Sequence, residues 1–182
     1  MTHSPSCQRK EAGVLSALFF ILSIAAYLFS LTVSHYTAIL RMVTLCGGCG
    51  GVYVLVRYLY TRFTYYIISP SGEDVTVLPR EAIDFRVERR IGSRPSYAEC
   101  MLSLDKLVSV RRFDGGTADE LRREFTSPKL YYYTMALKPA EGKRTVLVFN
   151  DGGGEVSCIV TELNEEMKVF LSSKVTDRDA SL

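Results

Sequence analysis

The chain has 182 residues and a net charge of +2, from 22 Lys and Arg against 20 Asp and Glu. So small a charge does not favour nucleic acid as a partner. The five cysteines show no framework spacing, which argues against a secreted disulfide scaffold and fits a reducing cytoplasm better.

Two apolar segments lie near the N-terminus. No Lys, Arg, Asp or Glu occurs between Ala12 and Leu40. A helix needs about 20 apolar residues to cross the hydrocarbon core, and residues 13–33 and 37–60 each supply that length. We therefore predict a transmembrane helical hairpin over residues 13–60, after an N-terminal tail of residues 1–12. A cleaved signal peptide is the alternative for the first segment, but this run is longer than a typical signal core and the second segment follows at once.

Basic residues near the ends of the two segments predict their orientation. Arg9 and Lys10 precede the first segment, Arg57 and Arg62 flank the end of the second, and Arg41 alone lies near the turn. Lys and Arg near span ends favour the cytoplasmic side. We therefore expect an integral membrane protein with two spans, with both termini in the cytoplasm and with membrane lipid as a partner.

The second segment contains the sequence CGGCGG. Its Cys-x-x-Cys pattern is typical of redox pairs or half of a zinc site, but the two histidines of the chain, His3 and His35, do not neighbour it. Small residues allow two membrane helices to approach closely. We therefore predict no metal or cofactor here, and a helix-packing face whose partner is the first span, another copy of the chain or another protein. The residues of this face are Cys46, Gly47, Cys49, Gly50 and Gly51.

The remainder of the chain has a β pattern. Segments 64–69 and 74–78 predict a hairpin around a Pro-Ser-Gly turn. Segments 83–91 and 97–104 alternate apolar and polar residues, as antiparallel strands with one wet face do. Further strands are predicted at 107–113, 130–137, 144–149 and 155–160, with a turn at NDGGG and a short exposed helix over 117–125.

The chain closes with an amphipathic helix. Segment 163–174 places Leu163, Met167, Phe170 and Leu171 on one face, which we expect to be buried against the strands. A flexible polar tail is predicted over residues 176–182.

Four segments of the β region carry a resemblance to a known fold: TRFTYYIIS, DFRVERRIG, CMLSLDKLVSV and VLVFNDGGGEVSCIVTELNEEMKVFL. In this order they resemble the pleckstrin-homology (PH) superfold. The whole pattern resembles bacterial membrane proteins in which one or two spans precede a PH-like domain. The resemblance covers residues 61–175 and implies a mainly-β (α+β) domain. This domain would be an antiparallel barrel or two-sheet sandwich of about seven strands, closed by the C-terminal helix. The insertion from Asp114 to Pro128 departs from that pattern.

Motifs for catalysis are scarce in the β region. It contains no histidine and no phosphate-binding glycine loop. We therefore predict a non-catalytic binding or scaffolding module that has a protein partner or associates with itself through the glycine face. The alternative is an accessory subunit of a membrane transport or envelope-enzyme complex, and a membrane-bound enzyme using carboxylates ranks below both.

Arginines on or just after the predicted strands are the candidate contacts for an anion or an acidic lipid headgroup. The opposing interpretation is that they are solvated and paired with neighbouring acids, and the sequence leaves open whether they converge. The six arginines are Arg86, Arg89, Arg90, Arg94, Arg111 and Arg112.

Overall fold

The computed structural model of the chain describes residues 1–5, 9–33, 36–69, 72–135, 143–152 and 155–179. Two long helices come first, α1 (Arg9–Thr32) and α2 (Thr37–Val54), and α2 continues as a π-helix (Leu55–Tyr60). Both helical segments are long and apolar enough to cross a membrane. Their outward side chains, such as Ile21 and Leu45, are more than half exposed. The turn predicted between the two helices comprises Ser34, His35 and Tyr36; the first two lie outside the described residues, and Tyr36 is a turn residue directly before α2.

The rest of the chain forms two four-stranded sheets. Sheet A has the order β1-β2-β3-β4 and is antiparallel throughout. Sheet B has the order β5-β7-β8-β6. The strands are β1 (Thr2–His3), β2 (Thr61–Ile68), β3 (Asp84–Ile91), β4 (Tyr97–Ser103), β5 (Leu107–Arg112), β6 (Lys129–Tyr132), β7 (Thr145–Gly152) and β8 (Glu155–Thr161).

One strand pair corrects the expectation of an entirely antiparallel domain. In sheet B, β6 runs parallel to β8. The chain leaves β5, crosses the outer face of the sheet as α3 (Thr117–Glu124) and enters β6 from the opposite end. A crossover of this kind lets a strand run parallel to its neighbour, whereas a hairpin cannot. The segment 114–128 that departs from the PH pattern is this crossover.

The predicted strand at 74–78 is wrong. The Asp74 carboxylate accepts hydrogen bonds from the Thr76 backbone nitrogen at 3.0 Å and the Thr76 hydroxyl at 2.9 Å. A side chain that captures a nearby backbone donor favours a turn over a strand ladder. The neighbours of β2 are instead β3 and the N-terminal strand β1. Residues 1–12 are therefore not simply a tail, because Thr2 and His3 belong to sheet A.

The main core lies between the two sheets. Tyr65 and Phe85 reach it from sheet A, and Phe149 and Ile159 reach it from sheet B. The C-terminal helix α4 (Glu165–Asp179) borders this core and extends past residue 175. The prediction that Leu163, Met167 and Leu171 are buried is confirmed, with exposed fractions of 6%, 1% and 0%. Phe170 is only partly buried and lies beneath the ammonium of Lys174.

A second core lies on the other face of sheet B, beneath α3. It contains Leu121 of α3 together with Val146, Val148 and Cys158 of the sheet. The prediction of an exposed helix therefore holds only for its polar face, since Leu121 is fully buried. Sheet B is covered on both faces, whereas the outer face of sheet A carries polar and partly exposed side chains.

One end of the two sheets adjoins the helical hairpin, and we call it the helix-proximal end. Strand β2 starts there at Thr61, directly after the π-helix. The backbone nitrogen of Gly92, just past β3, donates to the carbonyl of Tyr60 at 2.9 Å. The Arg57 guanidinium of the π-helix donates to the carbonyl of Tyr132 on β6 at 3.3 Å. Both sheets therefore present this end to the helices.

Candidate functional site

Glycines of α2 allow a close approach to α1. A Cβ atom at Gly47 would lie 3.2 Å from both the Phe19 carbonyl oxygen and the Ser23 Cβ. At Gly51 it would lie 3.1 Å from the ring of Phe20, and at Gly50 it would lie 3.3 Å from the ring of Phe19. These distances are shorter than ordinary carbon contacts of 3.5–4.0 Å. The glycines of the predicted packing face therefore lie against the first helix of the same chain.

Serines of α1 complete this interface. The Ser16 hydroxyl donates to the Gly51 carbonyl at 3.0 Å, and the Ser23 hydroxyl donates to the Thr44 carbonyl at 2.7 Å. Ser30 lies seven residues further along and is also buried, with its hydroxyl bonded within α1 to Tyr27. Interhelical hydrogen bonds stabilise helix pairs in lipid. The sequence analysis missed this stripe, although a seven-residue repeat of serine in an apolar helix was the available signal.

The two cysteines of CGGCGG are placed differently from the glycines. Cys46 and Cys49 are exposed free thiols on the outer surface of the helix pair. Within the part of the chain that the structure describes, no group of three His, Cys, Asp or Glu residues could hold a metal ion.

The N-terminal strand connects the start of α1 to the β domain. Thr2 and His3 are in register with Tyr66 and Tyr65 of β2. Met1 extends the pairing, because its carbonyl accepts from the Ile67 backbone nitrogen at 2.9 Å. The start of α1 and the end of α2 are therefore both tied to sheet A, on the same side of the hairpin.

Arg57 attaches the π-helix to both sheets. Its guanidinium lies 5.1 Å from the ring centroid of Phe63 on β2 and also reaches the carbonyl of Tyr132 on β6. A guanidinium over an aromatic face is attracted by the ring quadrupole. This residue therefore links the end of the second helix to both sheets.

The six candidate arginines do not meet at one point. Three are in ion pairs: Arg86 with Glu88 at 2.7 Å, Arg89 with Glu99 at 2.8 Å, and Arg111 with Glu124 in a two-oxygen contact at 2.5 and 2.7 Å. The first two pairs lie on sheet A, and the third joins β5 to α3.

The other three candidates, Arg90, Arg94 and Arg112, are exposed near the helix-proximal ends of their strands. Arg90 lies directly opposite Arg62 across the β2–β3 pair. The sequence analysis used Arg62 only to orient the spans, because the register that brings these two arginines together is not visible in the sequence.

Buried polar groups between the sheets form a structural network. The Tyr65 hydroxyl donates to the Tyr133 carbonyl and accepts from the Glu162 backbone nitrogen at 3.2 Å. The buried Glu162 carboxylate accepts from the Met135 backbone nitrogen at 2.9 Å. Burial raises the pKa of Tyr65 far above its usual range and that of Tyr133 to about 12. Both hydroxyls therefore keep their protons at physiological pH, and the Tyr65 hydroxyl links β2 to the segment after β6 and to the residue that follows β8.

Comparisons of the chain with protein-family models, with curated proteins and with solved structures find no match.

Proposed function

We propose that this protein is a small integral membrane protein that presents a non-catalytic binding or scaffolding domain at the cytoplasmic face. Its two helices would span the membrane as a hairpin, and residues from Thr61 onward would form the binding domain. Membrane lipid and a protein partner are the partners in this proposal.

The observation that carries the proposal is the pairing of β1 with β2. Thr2 and Tyr66 lie on opposite sides of the hairpin in the sequence, yet they are register partners in sheet A. If α1 and α2 cross the membrane, this pairing requires an even number of crossings between the two strands. The basic residues at the same end, Arg57 and Arg62, favour the cytoplasm for that side.

A PH-like fold is the finer part of the proposal. Support comes from two sheets that enclose one core and from a C-terminal helix that supplies Leu163, Met167 and Leu171 to it. The parallel strand β6 and the crossover helix α3 would be an insertion into that plan. A shared fold does not by itself assign a ligand.

An accessory role in a larger membrane complex is less well supported. In that interpretation the glycine face contacts other subunits. Self-association of the chain would require the same face. Gly47 and Gly51 are buried against α1, so α1 would have to leave before another helix could bind there. Catalysis by carboxylates gains no support from Glu162, because its oxygen bonds a backbone nitrogen in the core.

Cysteine accessibility tests the topology. We expect an impermeant maleimide added to intact cells to label Tyr36→Cys, next to the turn between the helices, and to label Asp74→Cys in the β domain only after permeabilisation. Both positions are exposed in the structure, and the unsubstituted chain reports labelling of the native cysteines. Labelling of Asp74→Cys without permeabilisation would overturn the orientation. Labelling of both sites on intact cells would overturn the two-span arrangement.

A further inference from the structure

Two arginines face each other on the outer face of sheet A. Arg62 on β2 and Arg90 on β3 are register partners, and both are exposed. The residues on either side of Arg62, Thr61 and Phe63, are buried, so the arginine pair lies on the solvent face. Like charges directly opposite each other destabilise a strand pair. The arrangement therefore costs stability unless an anion lies between the two guanidinium groups.

Arg94 adds a third positive charge nearby. It lies in the turn after β3, where its backbone nitrogen donates to the carbonyl of Ile91 at 3.1 Å. The same turn is held against the end of the second helix by the hydrogen bond from Gly92 to Tyr60. All three arginines therefore surround the point at which the helix enters the sheet.

The closest acid along this face of β3 does not neutralise the pair. Glu88 is two residues from Arg90, but its carboxylate binds Arg86 at 2.7 Å and accepts from the Ser96 hydroxyl at 2.8 Å. Among the described residues, Arg62, Arg90 and Arg94 take part in no ion pair. The helix-proximal end of this face therefore carries uncompensated positive charge.

The position of the second helix determines what this surface faces. The apolar span ends at Tyr60, which is 51% exposed, and tyrosines favour the boundary between hydrocarbon and headgroups. Arg62 is two residues further on, so it lies at most about 7 Å away along an extended chain. The headgroup layer of one leaflet is about 5 to 7.5 Å thick. Arg62 and its partner Arg90 therefore fall at the depth of lipid phosphates.

We propose that Arg62, Arg90 and Arg94 bind the phosphate groups of anionic phospholipids in the leaflet that adjoins the β domain. The guanidinium group matches phosphate oxygens in a two-point contact, and a lipid bound between Arg62 and Arg90 replaces their mutual repulsion by attraction. The site rests on the proposed membrane insertion, since the helices bring the arginines to the lipid surface. It differs from the sequence-based candidate set, because Arg86, Arg89 and Arg111 are engaged with acids.

Lipid selectivity of the full chain tests this site. The protein is reconstituted in phosphatidylcholine nanodiscs, and binding of acyl-labelled phosphatidylglycerol is compared with that of acyl-labelled phosphatidylcholine. Each arginine near an anionic surface contributes about fivefold to the affinity, so R62Q/R90Q should lower phosphatidylglycerol binding by about 25-fold. The matched control R122Q/R123Q removes the same charge from exposed positions on α3 and should bind as the unchanged chain does.

Two further variants separate loss of the site from loss of the fold. R90E places an acid opposite Arg62, so we expect a β domain at least as stable as that of the unchanged chain, with phosphatidylglycerol selectivity lost. R94Q should lower the affinity by about fivefold. Equal phosphatidylglycerol binding by R62Q/R90Q and R122Q/R123Q would overturn the site.

The reconstitution also distinguishes failure of the site from failure of the proposed function. A chain that stays in the nanodisc through an alkaline wash but shows no phosphatidylglycerol selectivity lacks only the lipid site. A chain that is washed off refutes the membrane insertion on which the site rests.

Inorganic phosphate is the last probe. Displacement of the labelled lipid by millimolar phosphate would overturn the lipid assignment in favour of a soluble anion, whereas resistance supports it.

Discussion

Replacing Leu171 by alanine should strongly destabilise the β domain. Leu171 is fully buried in the core between the sheets. The substitution removes three carbon atoms from the core, at about 0.8 kcal/mol each, and the cavity raises the cost to about 3 kcal/mol. For a domain of this size, 1 kcal/mol corresponds to about 4 °C in Tm. We therefore expect Tm to fall by about 12 °C.

The matched control lies on the same helix. Val169 is 67% exposed, so Val169→Ala should change the free energy of unfolding by less than about 0.5 kcal/mol. Phe170→Ala should fall between the two variants, although phenylalanine is larger than leucine, because the Phe170 ring is only partly buried. The loss of stability should therefore decrease from Leu171 to Phe170 to Val169, in the order of burial and not of side-chain size.

Thermal unfolding of the full chain in a mild detergent measures this order. The chain has 11 Tyr and no Trp, so its near-ultraviolet circular dichroism reports on tyrosine packing, which includes that of Tyr65 in the core of the β domain. Nearly equal melting temperatures for Leu171→Ala and Val169→Ala would refute the role of α4 in closing the core. Such a result would also remove the main support for a PH-like plan.

Two further predictions concern the hairpin and the α3 contact. Gly47→Ala should destabilise the helix pair, because the added Cβ would lie 3.2 Å from a backbone oxygen of α1. Gly48→Ala should be neutral or stabilising by up to about 1 kcal/mol, because its Cβ would lie 3.6 Å from a flexible hydroxyl. The midpoint of unfolding in sodium dodecyl sulfate measures both variants, and a less stable Gly48→Ala than Gly47→Ala would contradict the packing. Hydrogen bonds from Arg111 lower the pKa of Glu124. The pair therefore stabilises the fold at pH values above the unfolded-state pKa of Glu124. This stabilisation is lost as the pH falls through the lower folded-state pKa. Glu124→Gln should therefore lower Tm at neutral pH and leave it unchanged in strong acid, and an equal loss at both pH values would show that the charge of Glu124 is not the cause.

Local patterns in the sequence sufficed to predict the elements that depend on neighbouring residues. The length and apolarity of residues 13–33 and 37–60 predicted the two long helices, since a span needs only a minimum run of apolar residues. Alternation along 83–91 predicted β3, and the helical spacing of Leu163, Met167 and Leu171 predicted the buried face of α4. For β3 and α4, the period of the element indicates which side is buried.

Contacts between distant segments were decided only by the tertiary structure. The strand β1, the parallel pairing of β6 and the opposition of Arg62 to Arg90 each depend on strand register. Register is set by the burial of whole strands and by their connections, so it leaves no local trace in composition.

The incorrectly predicted strand at 74–78 also shows that contacts between distant segments decide whether a strand forms. Its alternating residues match a strand, but the Asp74 carboxylate binds the backbone locally, and among the described residues no strand pairs with that segment. The pairing of Arg62 with Arg90 likewise depends on contacts between distant segments. The sequence contains both residues, and only the folding of β2 onto β3 beside the end of the second helix places them together, where they can face a lipid phosphate.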